Sequence, residues 1–162
     1  MQQRQYTRID TIRRYVDRML LENKDDTDRR NGYVHLYAVG MAAALIALKR
    51  GHDRAWAELA EIAGMLHDYT SYQGKDGPNH AQECEPVVRA LLLDARQFQP
   101  EEIELICHAV CHHSEKGSVG TAFDEIVKDA DVLHHWLRNP MEEYWYDNDR
   151  ARQLAKEFAL NA

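Results

Sequence analysis

Residues 62–68 read Ile-Ala-Gly-Met-Leu-His-Asp, an apolar run that ends in an imidazole and a carboxylate side by side. Upstream of this run, Gly51 followed by Asp53 indicates the end of one helix and the N-cap of the next. His35 and His67 lie equally far before and after Gly51 in the sequence. An antiparallel helical hairpin folded at Gly51 therefore brings the two histidines level, each roughly 20 Å from the turn at the rise of an α-helix.

The rest of the chain is also predicted to be helical. Apolar residues recur at spacings of three and four, as at Ile9, Ile12, Val16 and Leu20, and the alternating pattern of a β-strand is absent from the sequence. We therefore expect an all-α fold, a single bundle of about six or seven helices. Pro140 is expected to open the last of them, and the helices are predicted at 7–23, 28–49, 53–68, 80–94, 100–112, 124–137 and 141–160.

A second pair of histidines repeats the geometry of the first hairpin. His80 begins the fourth predicted helix and His113 ends the fifth, so a turn at 94–100 brings both histidines to the open end of their hairpin. Two gaps between the helices, 69–79 and 114–121, contain glycines and border the same end. Because binding and catalytic residues concentrate on loops, these two are the candidate functional loops.

Six side chains are thereby predicted to converge at one end of the bundle, and they are His35, His67, Asp68, His80, His113 and Asp131. Asp68 adjoins a helix end, where the last turn can open, and Asp131 is expected at the start of the sixth helix. Imidazole with carboxylate is the ligand set of zinc, manganese or iron. Six ligands are more than one ion takes while keeping a site for water. We therefore predict two divalent metal ions, of Mn, Fe, Zn, Co or Mg.

The composition excludes several classes of protein. The chain has 162 residues, 44% of them hydrophobic, and a formal net charge of −7. This predicts one globular domain over 1–162, and the scattered Lys and Arg argue against binding to a nucleic acid polymer. The longest run without charge or imidazole, 36–48, is too short to cross a bilayer, and we see no secretory signal. We expect a cytoplasmic protein with free thiols and no membrane partner.

The order of the predicted ligands, H…HD…H…H…D, resembles the HD-domain superfamily of metal-dependent phosphohydrolases. The resemblance covers about residues 28–140. It rests on the His67-Asp68 doublet, which follows the apolar run 62–66, and on 130–133, Ala-Asp-Val-Leu. The segments 79–81, Asn-His-Ala, and 109–114, Ala-Val-Cys-His-His-Ser, resemble the members that bind two metals. These include small bacterial hydrolases of nucleotides and dinucleoside polyphosphates. The resemblance implies an HD-type helical bundle with the first and last helices packed on its core.

The resemblance also implies roles for the ligands. In the family the doublet aspartate bridges the two ions, which assigns Asp68 to both. One site would be completed by His35, His67 and Asp131, and the other by His80 and His113. The implied reaction is hydrolysis of a phosphoester or phosphoanhydride of a small phosphorylated molecule, in the first instance a nucleotide, by a hydroxide that bridges the metals.

Two loop lysines, Lys75 and Lys116, are expected to join Asp68 in catalysis as phosphate contacts, because a positive charge stabilises the developing anion. The dinucleoside-polyphosphate members carry a lysine a few residues after the doublet. At that place this chain has Tyr-Thr-Ser-Tyr over 69–72, so its lysines lie further along the sequence.

Alternatives to this ligand set come from neighbouring residues. His112 competes with His113, and Asp129 competes with Asp131. His134 and His135 are interpreted as surface or packing residues, although one of them could face the site. The same ligands also occur in di-iron oxygenases of this family, so an oxidoreductase, or a non-catalytic metal- or nucleotide-binding module, is the alternative function.

Three other patterns are interpreted as structural. His52-Asp53 lies at the closed end of the first hairpin and is expected to act only as a cap. A packing face is expected for Cys107, His108, Cys111 and His112, although their i, i+4 spacing could hold zinc. Tyr144-Trp145-Tyr146 is expected to form a packing patch on the terminal helix.

Overall fold

The computed structural model describes residues 6–75, 77–143 and 148–160. These residues form helices and no strand, so the predicted all-α class is confirmed. A short 3-10 helix covers Ser71–Gln73. The α-helices are α1 (Arg8–Glu22), α2 (Asp26–Lys49), α3 (Arg54–Leu66), α4 (His80–Ala95), α5 (Pro100–His112), α6 (Ala122–Arg138) and α7 (Asp149–Glu157).

Local sequence explains where these helices begin. The Asp53 carboxylate accepts a hydrogen bond from the Trp56 backbone N–H and caps α3, as the sequence predicts. Thr121 and Asp124 form a reciprocal capping box at the start of α6. Between α2 and α3, Gly51 adopts a φ of +85°, a conformation that costs glycine little because it has no Cβ. The first hairpin therefore folds at the predicted place.

The last helix differs from the prediction. The expected helix 141–160 is shorter, because α7 covers Asp149–Glu157 and uses Asn148 as its N-cap. Pro140 does not open it and lies instead in the turn that follows α6. An asparagine side chain that accepts a backbone N–H defines a helix start more strongly than a proline placed well before it. The predicted aromatic patch at 144–146 lies outside the described residues.

Asp131 was expected at the start of the sixth helix, and this prediction is wrong. It lies in the interior of α6, because Thr121 caps that helix almost three turns earlier. The doublet follows α3 directly, since α3 ends at Leu66 and His67 is its C-cap. Asp131 therefore reaches the open end of the bundle from the side of a helix, whereas Asp68 reaches it from a turn.

The helices pack around α2, which contacts α3 along one side and α6 along another. The α4 and α5 helices form a second hairpin, α1 packs on α3 and the 3-10 helix, and α7 packs on α6. Among the described helices, α2 alone is long and apolar enough to cross a membrane, with a mean hydropathy of 1.4 over its most apolar 18 residues. Of these residues, 44% are buried, as in a core helix. Its fully buried residues include Leu36, Val39, Ala43, Ile46 and Ala47.

Two glycines set the distance between α2 and α3. A Cβ added to Gly64 would lie 2.8 Å from the Cα of Gly40 and 2.8 Å from the carbonyl oxygen of Val39. These are backbone atoms, so a larger residue would force the two helices apart. Because His35 and His67 lie within one and a half turns of this contact, the close approach also sets the separation of the two imidazoles.

The substitution Gly64→Ala is expected to destabilise the fold by about 1 to 3 kcal/mol, the usual range for overpacking in a core. Urea denaturation followed by circular dichroism measures this loss. Gly117→Ala is the matched control, because a Cβ at that loop position meets nothing within 4 Å. Equal stabilities for the two variants would show that α2 and α3 can separate without cost.

Candidate metal centre

The six predicted ligands meet at the open end of the bundle. They come from α2, the turn after α3, the start of α4, the end of α5 and the interior of α6, and they are His35, His67, Asp68, His80, His113 and Asp131. His35, His67 and His113 are buried, and Asp131 is 8% exposed. The cluster is therefore a largely enclosed site in which polar atoms face one another.

The Asp68 carboxylate lies between two pairs of histidines. Its Oδ2 is 3.5 Å from Nε2 of His35 and 3.3 Å from Nε2 of His67. Its Oδ1 is 3.4 Å from Nε2 of His80 and 3.1 Å from Nε2 of His113. Each carboxylate oxygen thus faces a different pair of imidazoles. This is the arrangement of a carboxylate that can contribute one oxygen to each of two cations.

Asp131 belongs with the first of these pairs. Its Oδ1 lies 3.6 Å from Nε2 of His35 and 3.7 Å from Nε2 of His67. The ligand atoms of these three residues lie within 4.8 Å of one another, and so do those of His67, Asp68 and His113. The geometry therefore provides two overlapping groups of ligand atoms, each able to hold a metal ion.

Backbone carbonyls fix the tautomers of three of the histidines. Nδ1 of His67 lies 2.7 Å from the Gly64 oxygen, and Nδ1 of His113 lies 2.8 Å from the Val110 oxygen. His80 makes the same contact, at 2.9 Å, with the carbonyl three residues before it. Because a carbonyl oxygen only accepts, each Nδ1 carries the proton. In its neutral form, each ring then directs the lone pair of Nε2 into the site, as metal-ligating histidines do.

The atoms that face the site are acceptors with few donors among them. Nε2 of His80 and Nε2 of His113 lie 3.1 Å apart, although both rings already carry their proton on Nδ1. Oδ1 of Asp68 and Oδ1 of Asp131 are buried and have no hydrogen-bond partner among the residues that the structure describes. Buried lone pairs facing one another are unfavourable unless a cation lies between them. The donor set therefore fits divalent metal ions.

The pKa values of the cluster are shifted by burial and by the close approach of imidazoles and carboxylates. Burial lowers the pKa of His35 and of His113. Burial also opposes the charged form of His67, but Asp68 and Asp131 outweigh it and raise the pKa of His67 to about 10. The carboxyl of Asp68, which burial alone would keep neutral, has its pKa held well below the ordinary value by its imidazole neighbours, His67 first. The two carboxylates that favour a proton on His67 would also favour a metal ion, which would replace that proton on binding.

His134 is a site residue, although the sequence interpretation favoured a surface or packing role and left a place at the site only as the alternative. Its Nδ1 lies 2.9 Å from Nδ1 of His35, on the side of the His35 ring away from the carboxylates. Burial lowers the pKa of His134 to about 4, so this ring is neutral and can accept. When Nε2 of His35 is a metal ligand, its Nδ1–H donates to His134. The sequence signal that could have placed His134 at the site was its spacing, since it follows Asp131 by one helical turn and so lies on the same helix face.

His135 lies at the rim of the site and was also interpreted as a surface or packing residue. Its Nε2 is 3.3 Å from Oδ1 of Asp131, and its side chain is 47% exposed. The ring centroids of His135 and His35 are 5.0 Å apart. His134, His135 and His35 form a third group of potential ligand atoms. Both histidines that follow Asp131 therefore face the centre, one behind a ligand and one beside it.

The two predicted lysines differ in position. Lys116 Nζ donates to Oδ2 of Asp131 at 2.7 Å, so it holds the outer oxygen of this carboxylate and leaves Oδ1 facing the site. Its charge also lies beside the centre, where it lowers the pKa of Asp131 against the effect of burial. Lys75 is exposed, and its side chain makes no hydrogen bond or ion pair with any residue that the structure describes.

The rival ligands lie elsewhere. His112 is directed away, because its Nδ1 lies 2.8 Å from the His108 oxygen and its ring stacks on the His108 ring. Asp129 accepts hydrogen bonds from Arg50 and Arg150, both at 2.6 Å, and so is fully paired.

Within the described ranges, the candidate metal groups contain no cysteine, so the zinc alternative on α5 has no support. His52 stacks on a tryptophan at the closed end, with ring centroids 3.9 Å apart.

A model of the HD domain family matches residues 32–136. The match covers more than half of the chain and contains all six side chains of the cluster, so the chain belongs to the HD domain family. This family is a superfamily of metal-dependent phosphohydrolases, as the sequence resemblance indicated. Comparisons with curated proteins and with solved structures gave no match.

The substitution His134→Phe is expected to weaken metal binding about 10- to 100-fold, the usual effect of removing a partner that orients a ligand. The reason is that Nδ1–H of His35 loses its acceptor while the aromatic volume is kept. Titration with Co²⁺, followed by visible absorption, measures the affinity and the ligand field together.

Two further variants control this experiment. His134→Gln is expected to recover part of the affinity, because its side-chain oxygen can accept the same hydrogen bond. His52→Phe, at the closed end, should bind Co²⁺ as the unaltered chain does. An unchanged Co²⁺ affinity and spectrum in His134→Phe would contradict the orienting role.

Proposed function

We propose that this chain is a metal-dependent phosphohydrolase that cleaves a phosphoester or phosphoanhydride bond of a small phosphorylated molecule, in the first instance a nucleotide. The observation that carries the proposal is the position of Asp68, whose two carboxylate oxygens each face a separate pair of imidazoles. Membership of the HD domain family supports the reaction class.

Two divalent ions would share Asp68. One would be held with His35, His67 and Asp131, and the other with His80 and His113. Divalent ions bound in this way supply Lewis acidity to phosphate oxygens and activate a water molecule at neutral pH. This chemistry requires no side-chain nucleophile, which agrees with a cluster built from imidazoles and carboxylates.

The surrounding residues hold the ligands in position. Backbone carbonyls keep the proton of His67, His80 and His113 on Nδ1, and so keep Nε2 available. Lys116 Nζ binds the outer oxygen of Asp131 and adds a positive charge beside the centre, where it can stabilise charge that develops on a phosphate. Burial of the inner side of the cluster excludes water from that side and strengthens these interactions.

The overall charge favours a small substrate over a polymer. At a net charge of −7, the chain repels a polyanion, and its basic residues are spread over the sequence. A small phosphorylated molecule needs only local positive charge, which the metal ions and Lys116 would provide. We therefore propose neither a nucleic acid polymer nor a membrane surface as a partner.

The substitution Asp68→Asn is expected to reduce phosphate release from p-nitrophenyl phosphate by at least about 100-fold, since it removes the charged ligand that both ions share. Elemental analysis of protein purified without chelator should fall from two ions per chain to at most one. Helical circular dichroism should persist, because Asp68 lies in the turn after α3 and its carboxylate makes no hydrophobic contact that the substitution would remove. The matched control is His52→Ala, which should keep both activity and metal content.

Two results would overturn the proposal. The first is retained phosphate release in metal-bound Asp68→Asn. The second is oxygen consumption with an organic substrate after anaerobic iron loading, without phosphate release under Mn²⁺ or Co²⁺, which would establish the oxygenase alternative on the same ligands.

A further inference from the structure

A second side-chain contact joins α2 and α6 beyond the metal cluster. Arg138 Nη2 donates to Oδ1 of Asn31 at 2.9 Å. Asn31 precedes His35 by one helical turn, and Arg138 follows His134 by one turn. The contact therefore lies one turn above the hydrogen bond between His35 and His134, on the outer side of the cluster. It places a guanidinium at the mouth of the candidate metal centre.

Arg138 differs from the other arginines at the helix interfaces because its partner is a neutral amide. Five other arginines, Arg8, Arg13, Arg50, Arg89 and Arg150, form ion pairs with carboxylates of another helix. Arg138 forms no ion pair with any of the described residues, and its side chain is exposed. Four of its five N–H donors are not used by protein groups within the described chain. Its charge is available to an anion from solution.

The acidic residues of α2 near this contact are directed elsewhere. Asp28, one turn before Asn31, accepts a hydrogen bond from Asn23 Nδ2 at 2.6 Å, towards the turn between α1 and α2. Tyr72 lies on the same rim, with its ring centroid 6.3 Å from that of His35. The rim next to the metal centre is thus lined by a guanidinium, an amide and an aromatic ring.

We propose that Arg138 and Asn31 form a second anion subsite, which binds a phosphate group of the substrate other than the one held at the metal centre. The proposal rests on the proposed phosphohydrolase function and narrows its substrates to small molecules with two or more phosphate groups. Arg138 lies two turns from Asp131, roughly 10 Å along α6, and its flexible side chain can cover part of this distance. A guanidinium binds phosphate through two parallel N–H donors while a third keeps its contact with the Asn31 amide.

Inhibition of p-nitrophenyl phosphate hydrolysis tests the subsite. The probes are inorganic phosphate and inorganic tripolyphosphate, with Mn²⁺ kept in excess over both so that the centre stays loaded. The unaltered chain should bind tripolyphosphate more tightly than phosphate. Arg138→Gln should raise the inhibition constant of tripolyphosphate about 10-fold or more, the cost of losing a charged, bidentate partner. It should change the inhibition constant of phosphate and the KM of p-nitrophenyl phosphate by less than about twofold.

Two variants control the effect of charge and geometry. Arg138→Lys should recover part of the tripolyphosphate affinity, because it keeps the charge and loses the planar pair of donors. Arg54→Gln removes an exposed arginine at the closed end of the bundle and should leave both inhibition constants unchanged. Calorimetric titration of the Mn²⁺-loaded chain with the same two anions gives the ratio of their dissociation constants without turnover.

The outcomes distinguish a failure of the subsite alone from a failure of the proposed function. If p-nitrophenyl phosphate is hydrolysed but Arg138→Gln binds tripolyphosphate as tightly as the unaltered chain, the subsite is refuted and the phosphohydrolase stands. The same holds if the unaltered chain binds tripolyphosphate no more tightly than phosphate. If no metal supports hydrolysis, the proposed function fails, and the subsite fails with it.

Discussion

The largely enclosed carboxylate of Asp68 imposes the constraint on which the rest of the structure depends. A carboxylate in this position is costly unless groups of opposite charge or suitable donors surround it. Four imidazoles, from three helices and the turn after α3, lie within 3.5 Å of its oxygens. The two helical hairpins must therefore open at the same end and at the same level. The close contact of Gly40 with Gly64 is one means by which the chain meets this requirement.

The positions of the histidines follow from the hydrogen-bond needs of helix ends. The last carbonyls of a helix have no partner within it. Gly64 at the end of α3 and Val110 at the end of α5 offer such carbonyls, and the imidazole three residues later donates Nδ1–H to each. One hydrogen bond thus completes the helix terminus and fixes the tautomer of a ligand. His35, in the interior of α2, has no free carbonyl beside it and uses His134 on the neighbouring helix instead.

The difference between local contacts, as at the helix ends, and contacts between helices, as between His35 and His134, explains how much of the fold and site could be predicted from the sequence. The helical class, the turn at Gly51 and the level placement of His35 with His67 follow from periodicity and the rise of a helix, which are local properties. The role of His134 could not be predicted, because His134 and His135 are both one turn from Asp131, and only the packing of α6 on α2 decides which of them is buried. The start of α7 was missed for a different, local reason, since the cap at Asn148 outweighs the signal from Pro140.

Two aspartates on α6 show what distinguishes a functional carboxylate from a structural one in this fold. Asp129 and Asp131 are both largely buried, and they lie two residues apart. Both oxygens of Asp129 are bound by arginines, which tie α6 to the end of α2 and to α7. Asp131 has Lys116 on one oxygen, while the other has no hydrogen-bond partner within the described part of the chain and faces the imidazoles. Because burial penalises an incompletely paired charge, the unpaired oxygen of Asp131 is stable only where a cation or proton can reach it. The incomplete pairing, more than the residue type or its burial, identifies the candidate metal centre.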